Sequence, residues 1–138
     1  MIEDTPSRRR AVSPPVLILE DDMIRAGEML AEIEDLGLSG RILAVRAGLL
    51  QPDQMYSLVI LSVRSMSPPD LRIPETVRRY SPDVPMLVLC GEGEPGSTPW
   101  TNCTVLRKKG ALSKIRARVA EMLGIVLTDE PGTTLKSS

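Results

Sequence analysis

The sequence contains no histidine. Imidazole-activated serine or cysteine nucleophiles and histidine-ligated metal sites are therefore excluded within its 138 residues. Phenylalanine is absent as well, and aromatics make up only 2% of the chain. With 42% apolar residues the core must be built from Leu, Ile, Val, Met and Ala. Cysteine is scarce: Cys90 and Cys103 are too few for a disulfide scaffold and fit a reducing, cytoplasmic setting. No apolar run approaches the roughly 18 residues that a membrane span needs. Arg8, Arg9 and Arg10 are followed by no apolar stretch before Pro14-Pro15, so a secretory signal is not expected. A formal net charge of −1 gives the whole molecule no electrostatic case for nucleic acid or an anionic membrane.

What is present reads as one domain between two polar segments. Residues 1–15 and 125–138 read as flexible tails, and 16–124 as the domain. Within it, short apolar runs alternate with amphipathic stretches. Val16–Leu19, Ile42–Val45, Leu58–Leu61, Met86–Leu89 and the short Val105-Leu106 read as strands buried on both faces. Met23, Ala26, Leu30, Ile33 and Leu36 fall at helical spacing, with Asp22 as the cap and Gly37 as the stop. Pro74 predicts the first turn of a short helix reaching about Tyr80. Leu112, Ile115, Val119, Met122 and Leu123 line one side of a final helix. Residues 46–57 leave room for about one turn, Ala47 to Leu50, before Pro52. Residues 91–104 carry Gly91, Gly93, Pro95, Gly96 and Pro99, and predict a loop in place of a helix.

Strands alternating with helices imply right-handed crossovers and a doubly wound, five-stranded parallel sheet of flavodoxin-like type. Its second helix should be short and its fourth replaced by a loop. Ligands of such sheets sit beyond the carboxyl ends of the strands. Glu20-Asp21-Asp22, Ser62, Cys90 and Lys108 are the residues to inspect there.

These segments resemble the receiver domain of bacterial response regulators. Val16-Leu17-Ile18-Leu19-Glu20-Asp21-Asp22 is similar to that family's first strand and acidic cluster. Tyr56 to Arg64 is similar to its third strand, Ser81 to Gly91 to its fourth, and Val105-Leu106-Arg107-Lys108 to its fifth. The resemblance implies that Glu20 and Asp21 belong to an acidic pair that binds magnesium. It puts the family's phosphoacceptor aspartate on Ser62, its switch hydroxyl on Cys90, its lysine on Lys108 and its switch aromatic on Val105. The proline after the lysine is replaced by Lys109, so a trans Lys108–Lys109 bond is expected.

Each departure has a physical consequence. An aspartate with a pKa of about 3.9 is an ionised nucleophile at neutral pH, whereas a serine hydroxyl needs a base. Magnesium loses a charged ligand, so weak binding or none is expected, with Lys108 paired to Glu20 or Asp21 instead. Cys90 is a poor hydrogen-bond donor, and Val105 has no ring to swing. A cysteine ending a buried strand reads first as a small apolar residue. Arg107, Lys108, Lys109, Lys114, Arg116 and Arg118 read as a solvated basic face, since no nucleic-acid motif accompanies them. Trp100 reads equally as a plug for the missing helix or as a partner contact.

The resemblance implies a non-enzymatic, phosphorelay-type signalling module that acts by phosphorylation-independent protein contact. A histidine kinase, a phosphotransfer protein or another regulator would be its partner, and the usual receiver dimer is not expected. The alternative is a phosphorylatable single-domain regulator using Ser62 or a nearby acid such as Asp21 or Asp22. A phosphate-binding enzyme is disfavoured, because Glu20-Asp21-Asp22 stands where a glycine-rich phosphate loop would follow the first strand.

Overall fold

The structure is a computed structural model that describes residues 14–44, 55–92, 98 and 100–127. Five strands form one parallel sheet in the order β2-β1-β3-β4-β5. They are β1 (Val16–Leu19), β2 (Gly40–Leu43), β3 (Leu58–Val63), β4 (Met86–Cys90) and β5 (Cys103–Arg107). The helices among the described residues are α1 (Met23–Asp35), α2 (Arg72–Tyr80) and α3 (Leu112–Leu123), with a 3-10 turn at Pro68–Leu71 leading into α2.

The central strands formed where continuous apolar runs predicted them. All four residues of β1 are buried, because β2 and β3 pair its edges and helices cover its faces. Alternation then sorts the side chains into two cores. Val16, Ile18, Leu58, Ile60, Leu87, Leu89 and Leu106 face α1 and α3, meeting Met29, Ile33, Ile115 and Val119. Leu17, Leu19, Val59, Leu61, Val63, Met86, Val88 and Cys90 face the other side, where α2 contributes Val77.

Helix α1 begins as expected: the Asp22 carboxylate accepts from the amides of Ile24 (3.1 Å) and Arg25 (3.2 Å). It stops at Gly37, whose φ of 82° suits a residue without a Cβ. Two strands differ from their predicted limits. β2 begins two residues earlier, at Gly40, and its residues are half-buried or exposed. A Cβ at Gly40 would come within 2.6 Å of Leu30 Cδ1, so glycine lets this edge strand lie close under α1. β5 runs from Cys103 to Arg107, longer than the Val105-Leu106 pair, because an edge strand tolerates Thr104 and Arg107.

Residues 91, 92, 98 and 100–102 between β4 and β5 form no helix, and the rest of the loop expected there, 93–97 and 99, lies outside the described residues. Trp100 is half-buried against the core that α2 covers, together with Cys103 and Val105. The turn expected at Ala47–Leu50 lies outside the described residues, as do 1–13 and 128–138. No described peptide is cis. No helix among the described residues is long and apolar enough to cross a membrane.

Candidate functional site

The strand order reverses between β1 and β3, so the crevice of the sheet opens at their carboxyl ends. Glu20 follows β1 directly, and Ser62 is the penultimate residue of β3. Their side chains meet because both continue the parity of the first core: 16, 18, 20 on one strand and 58, 60, 62 on the other. Lys108 continues the same parity after Leu106 at the end of β5.

Glu20 is the centre of the site. It is 4% exposed and the only buried charged residue among those described. Its Oε1 accepts the Ser62 hydroxyl at 2.5 Å, and its Oε2 accepts the Asp22 backbone N–H at 3.0 Å. A buried carboxylate keeps its charge only when such donors replace water. A cavity of about 380 Å³ opens above this pair, lined by Glu20, Asp21, Ser62, Arg64, Glu92 and Lys108, with Val63 and Gly91 completing the wall.

Glu20, Asp21, Ser62 and Lys108 are thus brought together from the sequence prediction. Asp22 and Cys90 are corrections to it, since neither lines the cavity. The Asp22 carboxylate is spent on capping α1. Cys90 pairs in register with Val63, not Ser62, so its side chain points into the opposite core, fully buried. Its thiol donates to the Glu92 carbonyl at 3.0 Å. Val105, the position of the switch aromatic, is half-buried against that same opposite core. Cys103 lies opposite Met86, four positions from Cys90 and about 13 Å along the strand, and both thiols are free.

Of the two pairings expected for Lys108, with Glu20 or with Asp21, the one with Glu20 is not formed among the described residues, where Ser62 and the Asp22 amide are the donors to that carboxylate. Each Glu20 oxygen accepts one donor and keeps a further lone pair on its cavity side. No group of three or more His, Cys, Asp or Glu side chains among the described residues could hold a metal ion. A magnesium ion here would draw its carboxylates from Glu20 and Asp21, with the neutral Ser62 hydroxyl where the resemblance puts a third.

Arg64 and Glu92 were not foreseen as site residues. They follow the ends of β3 and β4, the positions where the fold places ligand contacts, and that was the available signal. A network behind the cavity fixes the β3–α2 connection. The Ser65 hydroxyl donates to Asp70 at 2.6 Å, Arg64 lies 3.5 Å from the same oxygen, and the Ser67 amide donates to Ser65 Oγ. The Ser65 hydrogen bond, with the Arg64 charge behind it, holds the Asp70 carboxyl below its ordinary range. On the basic face, Arg116 pairs with Glu32 and Asp35 of α1, and Arg118 with Glu121. That is the behaviour of a balanced, solvated surface.

No protein-family model matches the chain, and no curated protein matches it. Solved structures do. A response regulator receiver protein from Sinorhizobium medicae superposes with a TM-score of 0.62 at 17% identity, covering 83% of this chain and 97% of that one. An orphan response regulator of H. pylori gives 0.59 at 16% identity, over 80% and 97%. A CheY-like receiver domain from Methanospirillum hungatei gives 0.56 at 15% identity, over 80% and 96%. The chain has the receiver fold of response regulators.

Proposed function

We propose that this protein is a response-regulator-like module of two-component signalling that works by protein contact, without aspartyl phosphorylation and without catalysis. The observation that carries the reading is the Ser62 hydroxyl, held at 2.5 Å on buried Glu20 where the resemblance puts the phosphoacceptor. Phosphoryl transfer needs an ionised oxygen in line with the donor. Ser62 is a neutral alcohol, and the carboxylate beside it is too weak a base to ionise it at pH 7. Partners of this chemistry are a histidine kinase, a phosphotransfer protein or another regulator, met in the cytoplasm. Contact would run through the outer faces of α1 and α3. Met23 and Ile24 stand 62% and 78% exposed at the start of α1, beside the acidic corner.

The test is reaction with acetyl phosphate or phosphoramidate in magnesium, followed by intact mass, with Ser62→Asp run beside the native chain. The expected result is no added phosphoryl mass on the native chain and labelling of Ser62→Asp. Labelling of the native chain, mapped to Ser62, Asp21 or Asp22, would establish the phosphorylatable alternative instead.

A further inference from the structure

A second cavity lies between α1 and the turn joining β5 to α3, with a volume of about 320 Å³. Its floor is apolar: Met29, Leu89 and Ile115 line it, each 1% exposed. Its rim is cationic, formed by Arg25, Lys108 and Lys109, against the single acid Glu28. Among the described residues none of these three cations is in an ion pair, in contrast to Arg116 and Arg118 nearby. Helix α3 starts at the same place, with Ala111 as its cap residue and no side chain capping its first amides. A mainly cationic rim and a helix start without a side-chain cap both favour an anion. The apolar floor favours a ligand with a body as well as a charge, and the volume lies at the small end of the roughly 300–1,000 Å³ typical of small-molecule sites.

We propose that this cavity binds a small organic anion, a phosphomonoester or carboxylate carrying an apolar group. The anion sits among Arg25, Lys108 and Lys109, and its body rests on Met29, Leu89 and Ile115. Lys108 also lines the Ser62 cavity, so a ligand here engages a lysine shared by both cavities. Occupancy of this site, in place of phosphorylation, would then change the face offered to a partner. The site itself does not depend on the chemistry of Ser62, and its test is separate from the labelling experiment.

The full chain, labelled with nitrogen-15, is titrated with phenyl phosphate, hexanoate, inorganic phosphate and benzyl alcohol. Saturable shifts are expected at the amides of Met29 and of residues 110–115 with one of the two organic anions. That anion should bind at least about tenfold more tightly than inorganic phosphate or the neutral alcohol, and its identity names the headgroup. Arg25→Gln with Lys109→Gln should weaken it by about tenfold or more, since charge-assisted contacts are lost. Neither residue lines the Ser62 cavity. Exposed Lys109→Gln alone is the variant that leaves the core untouched, and it should weaken binding in the same direction. No saturable shift with either anion would overturn the proposal. So would equal binding of benzyl alcohol, affinity unchanged by the substitutions, or shifts confined to the Ser62 cavity.

Discussion

Glu20 shows how a single residue can be fixed by its neighbours' chemistry. Its two oxygens have one donor each, Ser62 Oγ and the Asp22 amide. Removing the hydroxyl leaves Oε1 facing the cavity without a protein partner. An unsatisfied buried acceptor costs about 1–3 kcal/mol, and water entering the cavity puts this one at the lower end. Ser62→Ala should therefore lower the urea midpoint by an amount equivalent to about 1–2 kcal/mol. Ser62→Ala and Glu20→Gln together should cost less than the sum of the two, because both act on one bond. Strict additivity would mean that the bond contributes nothing. The residues of this site were legible in the sequence as positions, because strand ends are where such sheets bind. The bond itself was not: the pairing of Lys108 with Glu20 was expected from charge alone, whereas strand parity sets the Ser62 hydroxyl directly on Glu20. The same parity, readable from Leu87 and Leu89 on one face and Met86 and Val88 on the other, turns Cys90 away from the pocket.

Between elements, Arg78 does for the β4–β5 connection what a packed helix would otherwise do. It sits near the end of α2. Its Nη1 donates to the carbonyls of Ser81 (3.1 Å), Pro82 (3.0 Å) and Val84 (2.6 Å). Its Nη2 donates to those of Thr101 (2.8 Å) and Asn102 (3.4 Å). Asn102, at a φ of 54°, also donates from its side chain to the Asp83 carbonyl and accepts from the Met86 amide. One guanidinium thus joins the end of α2, the turn into β4 and the entry to β5. Hydrogen bonds to a charged donor are worth about 1.5–3 kcal/mol each when buried, and partial exposure reduces this. Arg78→Met should lower stability by about 2–4 kcal/mol and speed amide exchange at Met86 and Cys103. Arg78→Lys should recover only part of it, because one ammonium cannot span both forks. An unchanged midpoint in Arg78→Met would sink this account. No pattern in the sequence marks Arg78, since its five acceptors are main-chain groups brought together by the fold. The β2 edge was misplaced for a related reason: Gly40 and Arg41 carry no apolar signal, and their strand character comes from pairing with Val16 and Leu17. The central strands were legible because burial on both faces forces an unbroken apolar run.

For the molecule as a whole, the missing histidine returns as a statement about pH. Two described groups titrate away from their ordinary values, at opposite ends of the scale. The Ser65 hydroxyl, opposed by burial and aided by Arg64, lowers the Asp70 carboxyl. Below about pH 3.9 the unfolded aspartate takes up a proton that the folded one still refuses, so stability is lost as pH falls through that window. Burial raises the Cys103 thiol, outweighing the Thr98 hydrogen bond and the Arg78 charge. Above about pH 8.5 the unfolded thiol ionises while the folded one keeps its proton, so stability is lost as pH rises. Between these limits the chain has no imidazole to change charge. Urea midpoints should therefore be flat from about pH 5 to 8 and fall on either side. Ser65→Ala should remove most of Asp70's share of the acid limb while lowering the midpoint at neutral pH, and Cys103→Ser should remove the thiol's share of the alkaline limb. A slope between pH 6 and 7 would contradict the argument. A flat profile would mean that proton uptake does not alter the stability of the fold across the physiological range. Any change in what this fold presents to a partner must then come from a ligand, not from a proton.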